Sequence, residues 1–198
     1  MIFDYDTLDS DNFNDIANKI LNERVLSVNG KLYRIAEIEF YLHNENHPDT
    51  YVHCNQDQLL HKCFYFHKFG NGTYKGGTFK GMDITFGDES SDTYFGILIR
   101  AIYDIEEKQM IEGPCNTVNR ILSDLQYDSI IDFTKNKTIM INNKKLSLIK
   151  DKNLKEKTIW VAPRIGLSNK YPEYRQNLYR YVIYKNLIKK EKTKLIKL

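Results

Sequence analysis

The chain has 198 residues, 41% hydrophobic and 28% charged, which suits one globular domain with a sizeable core. No apolar run reaches the ~18 residues of a membrane span, and the acidic start, Met1–Asp11, lacks the basic head and apolar stretch of a secretory signal. Net charge is +3 but unevenly spread: residues 1–50 hold 4 Lys and Arg against 10 Asp and Glu, while residues 135–198 hold 18 against 4. That asymmetry fits a basic surface facing an anionic partner such as nucleic acid, or else a solvated Lys-rich tail.

Residues 10–24 read as a helix, with Ser10 or Asp11 as cap and Phe13, Ile16, Ile20 and Leu21 on one face. Asn29–Gly30 marks a turn. Residues 31–42 alternate as a strand. Leu32, Ala36, Ile38, Phe40 and Leu42 fall on one face, and Tyr33, Ile35, Glu37, Glu39 and Tyr41 on the other. Two carboxylates and two tyrosines on one face fit either a solvent-facing strand or a cleft. Residues 43–68 carry all five histidines together with Cys54 and Cys63. Their spacings match no CxxC or HExxH pattern, so packing and surface roles are expected rather than a zinc site. With Cys115 the cysteine count is odd, and reduced thiols in an intracellular compartment, cytoplasm or nucleus, are expected.

Residues 72–87 are rich in Gly, Lys and aromatics and read as a hairpin followed by a strand. There Lys75 and Lys80 offer charge to phosphates, and Tyr74 or Phe79 could stack on bases. The alternative is a tight hairpin whose glycines only satisfy positive φ. Residues 94–103 form a buried strand interrupted by Arg100. Gly113–Pro114 precedes a short helix over 116–125. A pair of strands is expected within 128–150 around Asn142–Asn143, and last strands at 158–167 and 178–184. Residues 185–198 read as a basic helix or frayed tail.

Taken in order, these segments resemble the alkyladenine (3-methyladenine) DNA glycosylase family over nearly the whole chain. RIAEIEFYL, HPDTYVH, GMDITF, FGILIRAI, EGPCNTVNRIL, APRIGL and LYRYVI are the matching stretches. The resemblance implies one α+β domain over residues 1–198 with an antiparallel, barrel-like sheet and short helices, formyltransferase C-terminal-domain-like. It implies removal of damaged purines by base flipping and hydrolysis of the N-glycosidic bond, as in base excision repair. Glu39 falls on the water-activating carboxylate, and Arg100 and the Val182 carbonyl would position that water. Tyr41, His53 and Asp83 would hold the base, while Lys75, Lys80 and Arg164 would contact nucleic acid. The bare residues agree at Glu39, since a carboxylate can both activate water and stabilise an oxocarbenium-like sugar.

Two departures stand out. No wedge tyrosine is evident in YKGGTFKG, which makes single-stranded DNA a plausible substrate. Asp83 stands where the family has asparagine, so the pocket could prefer a base exposing an amino group, or a cationic alkylated base. No metal, organic cofactor or Schiff-base lysine is expected, hence no lyase step, and a monomer acting on DNA away from membranes. The alternative is a non-catalytic nucleic-acid-binding module on the same scaffold.

Overall fold

The computed structural model describes residues 10–169 and 171–198, and every strand pairing in it is antiparallel. Residues 1–9 of the acidic start lie outside the described residues. The strands are β1 (Arg24–Val28), β2 (Lys31–Asn44), β3 (His47–Pro48), β4 (His61–Phe66), β5 (Met82–Phe86), β6 (Tyr94–Asp104), β7 (Gln109–Glu112), β8 (Ile139–Met140), β9 (Leu146–Lys150), β10 (Trp160–Ala162), β11 (Arg180–Val182) and β12 (Ile196–Lys197). The helices are α1 (Phe13–Glu23), α2 (Pro114–Leu125) and α3 (Ile130–Thr134). The result is a single α+β domain in which few short helices pack on a mostly antiparallel sheet.

The long β2 and β6 form the spine, and the sheet runs β12–β10–β11–β2–β6–β5–β4–β8, with β9 joined to β2 through β1. The barrel-like closure expected from the sequence is not made. Between β8 and β9 the chain turns at Asn142–Asn143, so the two are linked only by the isolated bridge Asn142–Ser147 and a bond from Leu148 N to Ile141 O. A two-residue strand is too short to extend that link into a ladder, and the sheet stays open.

One sheet face is apolar. Ile38 and Phe40 of β2, Ile97 and Ile99 of β6, Ile84 of β5 and Phe64 of β4 join one buried cluster with the inward stripes of α1 and α2. Phe13 of α1 stacks on Phe40 at 4.3 Å and on Phe95 at 5.8 Å. The expected alternation along β2 holds only from Glu37 onward. Between Ile35 and Ile38 the register against β6 shifts on both strands, leaving Ala36 and Arg100 without an opposite residue. An extra residue in a strand of period two swaps its faces. Tyr33 and Ile35 accordingly join the apolar cluster instead of the polar face.

Other elements also differ from expectation. β1 and α3 were not anticipated, because Arg24–Val28 continues a helical apolar pattern and α3 spans only one turn and a little more. The basic segment 185–198 forms no α-helix: it makes a 3-10 turn at Lys192–Lys194, and then β12 pairs with β10. Lys185 lies over the Trp160 ring at 3.9 Å. Among the described residues no helix is long and apolar enough to cross a membrane.

Candidate active site

The other sheet face is polar, and its register assembles a row. Arg180 of β11, Glu39 of β2, Leu98 of β6, Asp83 of β5 and Tyr65 of β4 stand opposite one another in turn. Loops cover this row and leave a cavity of about 270 Å³ over β6. That lies just under the ~300–1,000 Å³ of drug-sized ligand pockets and suits a single heterocycle. Its walls include Tyr41, His53, Lys75, Lys80, Asp83 and Arg100, six of the residues that the sequence singled out. Gln58, His67, Tyr51, Phe79 and Ile165 also line it.

Glu39 itself has no exposed surface. It lies behind the wall, and all three of its hydrogen-bond partners line the cavity. Oε2 accepts from the Tyr41 hydroxyl (2.9 Å) and from Arg100 Nη1 (3.2 Å), while Oε1 accepts from the backbone N–H of Ile165 (2.7 Å). Burial first, and the Glu39 charge second, push the Tyr41 phenol well above its usual range, so it stays a donor. Glu37, expected beside Glu39 on an open cleft, is instead buried and takes Arg180 Nε (2.6 Å) and Arg100 Nε (3.2 Å) on one oxygen. The bulge explains how Arg100 reaches both carboxylates, since a residue without an opposite in the ladder can be re-aimed. The backbone is anchored there by the N–H of Gly113, which donates to the Arg100 carbonyl (2.7 Å). Gly113 has φ +101°, open to glycine, and this turn delivers Pro114 at the start of α2 to the cavity wall.

Two expected site residues stand elsewhere. Val182 is fully buried in β11, opposite Glu37 on one side and Trp160 on the other, and does not line the cavity. Arg164 is no surface cation. Its side chain is wholly buried, ion-paired with Asp49 (2.6 Å) and bonded to the Phe40 and Tyr174 carbonyls. Its guanidinium sits 4.6 Å from the centroid of the Tyr41 ring. A planar cation with fixed partners braces that ring from behind.

The remaining wall is a polar cluster. His67 Nε2 donates to Asp83 Oδ1 (2.7 Å), Gln58 Nε2 approaches Oδ2 (3.4 Å), and Lys75 Nζ donates to His53 Nε2 (3.2 Å). Burial of the ring against the wall first, then His67, push the His53 imidazole down to about 4, with Asp83 opposing and Lys75 adding a little. Phe79 is 71% exposed at the mouth, whereas Tyr74 is half-buried with its hydroxyl on Thr134. The C-terminal basic excess contributes little here: the lining cations are Lys75, Lys80 and Arg100.

Of the five histidines only His53 and His67 meet. His43 and His47 bond to backbone carbonyls of Asp49 and Leu42, and His61 packs on Phe86. Among the described residues no group of three or more His, Cys, Asp or Glu is placed to hold a metal. Gln58 and His67 were missed by sequence reasoning. His67 carried a weak signal as the histidine that closes the cluster, while Gln58 carried none.

No family model matches the chain. It is 49% identical over 205 residues to a protein of Acanthamoeba polyphaga mimivirus described as uncharacterized, covering 97% of this chain and 95% of the viral one.

Proposed function

The chain belongs to one family with that mimivirus protein, and we propose that it is a monofunctional DNA glycosylase of the alkyladenine type, built on an open version of that family's sheet. The observation that carries this reading is the meeting of Tyr41, His53, Asp83 and Arg100 in one base-sized cavity, with Glu39 bonded directly behind its wall. Tyr41, backed by Arg164, supplies a rigid aromatic surface for an extruded purine. The bond from the sugar C1′ to the purine breaks with its electron pair leaving on the base. The oxygen of a water held at Arg100 bonds to C1′, and its proton passes to Glu39. The anionic Glu39 faces the developing positive sugar in a dry setting, where charge stabilisation is strong.

Lys75, Lys80 and the exposed Phe79 at the mouth are suited to phosphates and to a neighbouring base. DNA as partner, a monomeric state and an intracellular place belong to this same proposal. The test is incubation with single-stranded and duplex oligonucleotides carrying alkylated or deaminated purines, scored for alkali-labile abasic sites. Absence of such sites on every lesion, with binding retained, would leave a non-catalytic nucleic-acid module. One observation favours that second reading: Glu39 has no exposed surface, and its two oxygens already accept three hydrogen bonds.

A further inference from the structure

The cavity contains a second organised unit, centred on Asp83 and independent of Glu39. Asp83 is buried yet lines the cavity. One of its oxygens is fixed by His67, whose Nε2 must be the donor because a carboxylate only accepts. The other oxygen has only the long contact to Gln58 Nε2. The amide of Gln58 cannot be turned round, because its Oε1 accepts the backbone N–H of Asn55 (3.1 Å) in the capping box of the 3-10 turn Gln56–Leu59. Its N–H₂ therefore faces Asp83.

Two glycines exist to make room for this unit. A Cβ on Gly96 would stand 2.5 Å from Asp83 Oδ2 and 2.9 Å from Gln58 Nε2, and one on Gly81 would stand 2.5 Å from His67 Nδ1. Neither glycine has a positive φ, so neither is needed for its backbone freedom. Both are needed for space.

The geometry points to Asp83, held by His67 and Gln58, as the residue that selects purines bearing a 6-amino group and rejects 6-oxopurines. An amino group donates to a lone pair of the Asp83 carboxylate that His67 leaves free. The adjacent ring nitrogen is an acceptor and meets the second N–H of the Gln58 amide, which also lines the wall. A 6-oxopurine in the same pose instead sets its O6 acceptor against the carboxylate and its N1–H donor against the N–H₂ of Gln58, and buried polar sites reject such mismatches strongly. The inference rests on the cavity being a nucleobase pocket, not on its being hydrolytic.

The test is equilibrium dialysis of the full chain against free adenine and free hypoxanthine, alongside the excision assay. Adenine should bind about tenfold tighter or more, a modest share of what a buried hydrogen-bonding site achieves. Asp83→Asn, which can present a donor or an acceptor, should bring the ratio near one. Gly96→Ala, which displaces the carboxylate without changing its charge, should also lower it. The wild-type ratio is decisive even if a variant fails to fold. Binding of adenine at that ratio without excision from any oligonucleotide would remove the hydrolase and keep this inference. Binding of neither base, equal binding, tighter hypoxanthine binding, or an unchanged ratio in folded Asp83→Asn would overturn it, whatever the excision result.

Discussion

Glu39→Gln separates the stability of the site from its chemistry. The carboxylate takes three donors, two on Oε2 and one on Oε1. A glutamine offers one acceptor oxygen. Turned toward Tyr41 and Arg100, it sets its own N–H₂ against the N–H of Ile165 and leaves that buried donor unpaired, which costs about 1–3 kcal/mol. It also removes one of the two carboxylates on Arg100. A broken buried pair costs about 3–5 kcal/mol, but Arg100 keeps Glu37, so only part of that applies. A net loss of roughly 2–4 kcal/mol follows from these two terms. Most of the protein stays folded at that cost if its stability is the usual ~5–15 kcal/mol. Excision per folded molecule should then fall about 10²–10⁴-fold through loss of the base. Urea midpoints, single-turnover excision and binding to an abasic-analogue oligonucleotide measure the three quantities separately. A change in stability below about 0.5 kcal/mol, the level of an ordinary surface substitution, would refute the buried network. Unchanged excision would refute the catalytic role. Glu37→Gln is no mild control for it. It strips the shared partner from Arg100 and Arg180 and should destabilise at least as much as Glu39→Gln.

Arg164→Ala should destabilise by about 3–5 kcal/mol, by stranding buried Asp49, and leave the salt dependence of DNA binding unchanged; a stable variant with a shallower salt slope would return Arg164 to the DNA contacts. Phe79→Ala should alter stability by less than about 0.5 kcal/mol and weaken single-strand binding by about 1–3 kcal/mol, and equal binding by filter titration removes it as a stacking residue. Lys75→Ala with Lys80→Ala should reduce the log–log salt slope for single strands by about 1.4, at ~0.7 per phosphate contact; an unchanged slope places the phosphates elsewhere. His53, held near 4 in the folded chain, contributes stability that is complete above its ordinary ~6.5 and is lost as pH falls toward about 4. His53→Gln should flatten that stretch of the stability–pH profile, and a retained slope would refute the assignment.

Legibility in the sequence followed the length scale of the interactions. α1 and the strands β2 and β6 could be read because their apolar patterns repeat over 11 to 14 residues. β1 and α3 could not, since the elements they pack against set them and not their own few residues. The site was legible where residues of one strand share a face, as with Glu39 and Tyr41, and where a cation interrupts an apolar run, as with Arg100. It was not legible where contacts cross the chain. Arg164 meets Asp49 and Tyr41 over more than a hundred residues of separation, and nothing in APRIGL distinguishes a buried arginine from an exposed one. The His67–Asp83 pair depends on β4 lying beside β5, a register the histidine spacing does not encode.

The placement of Arg100 argues that the buried charges serve the cavity and not the fold. Arg180, Glu37, Arg100 and Glu39 form a continuous chain of ion pairs of zero net charge beneath the polar face. Replacing such a cluster by packed apolar side chains is often neutral or stabilising. β6 is otherwise well suited to do so, with Ile97, Ile99 and Ile102 already fully buried. Instead both strands of the spine lose register at one point, Ala36 against Arg100, and this sets a guanidinium between two carboxylates at the wall of the cavity. A bulge that disturbs the longest pairing in the sheet, and a buried Arg180 Nη1 left without a partner, both weaken the fold at this place. The bulge is what brings Arg100 to Glu39, and with the Tyr41 hydroxyl it fixes that carboxylate in a dry setting, the state that the proposed stabilisation of a cationic sugar would require.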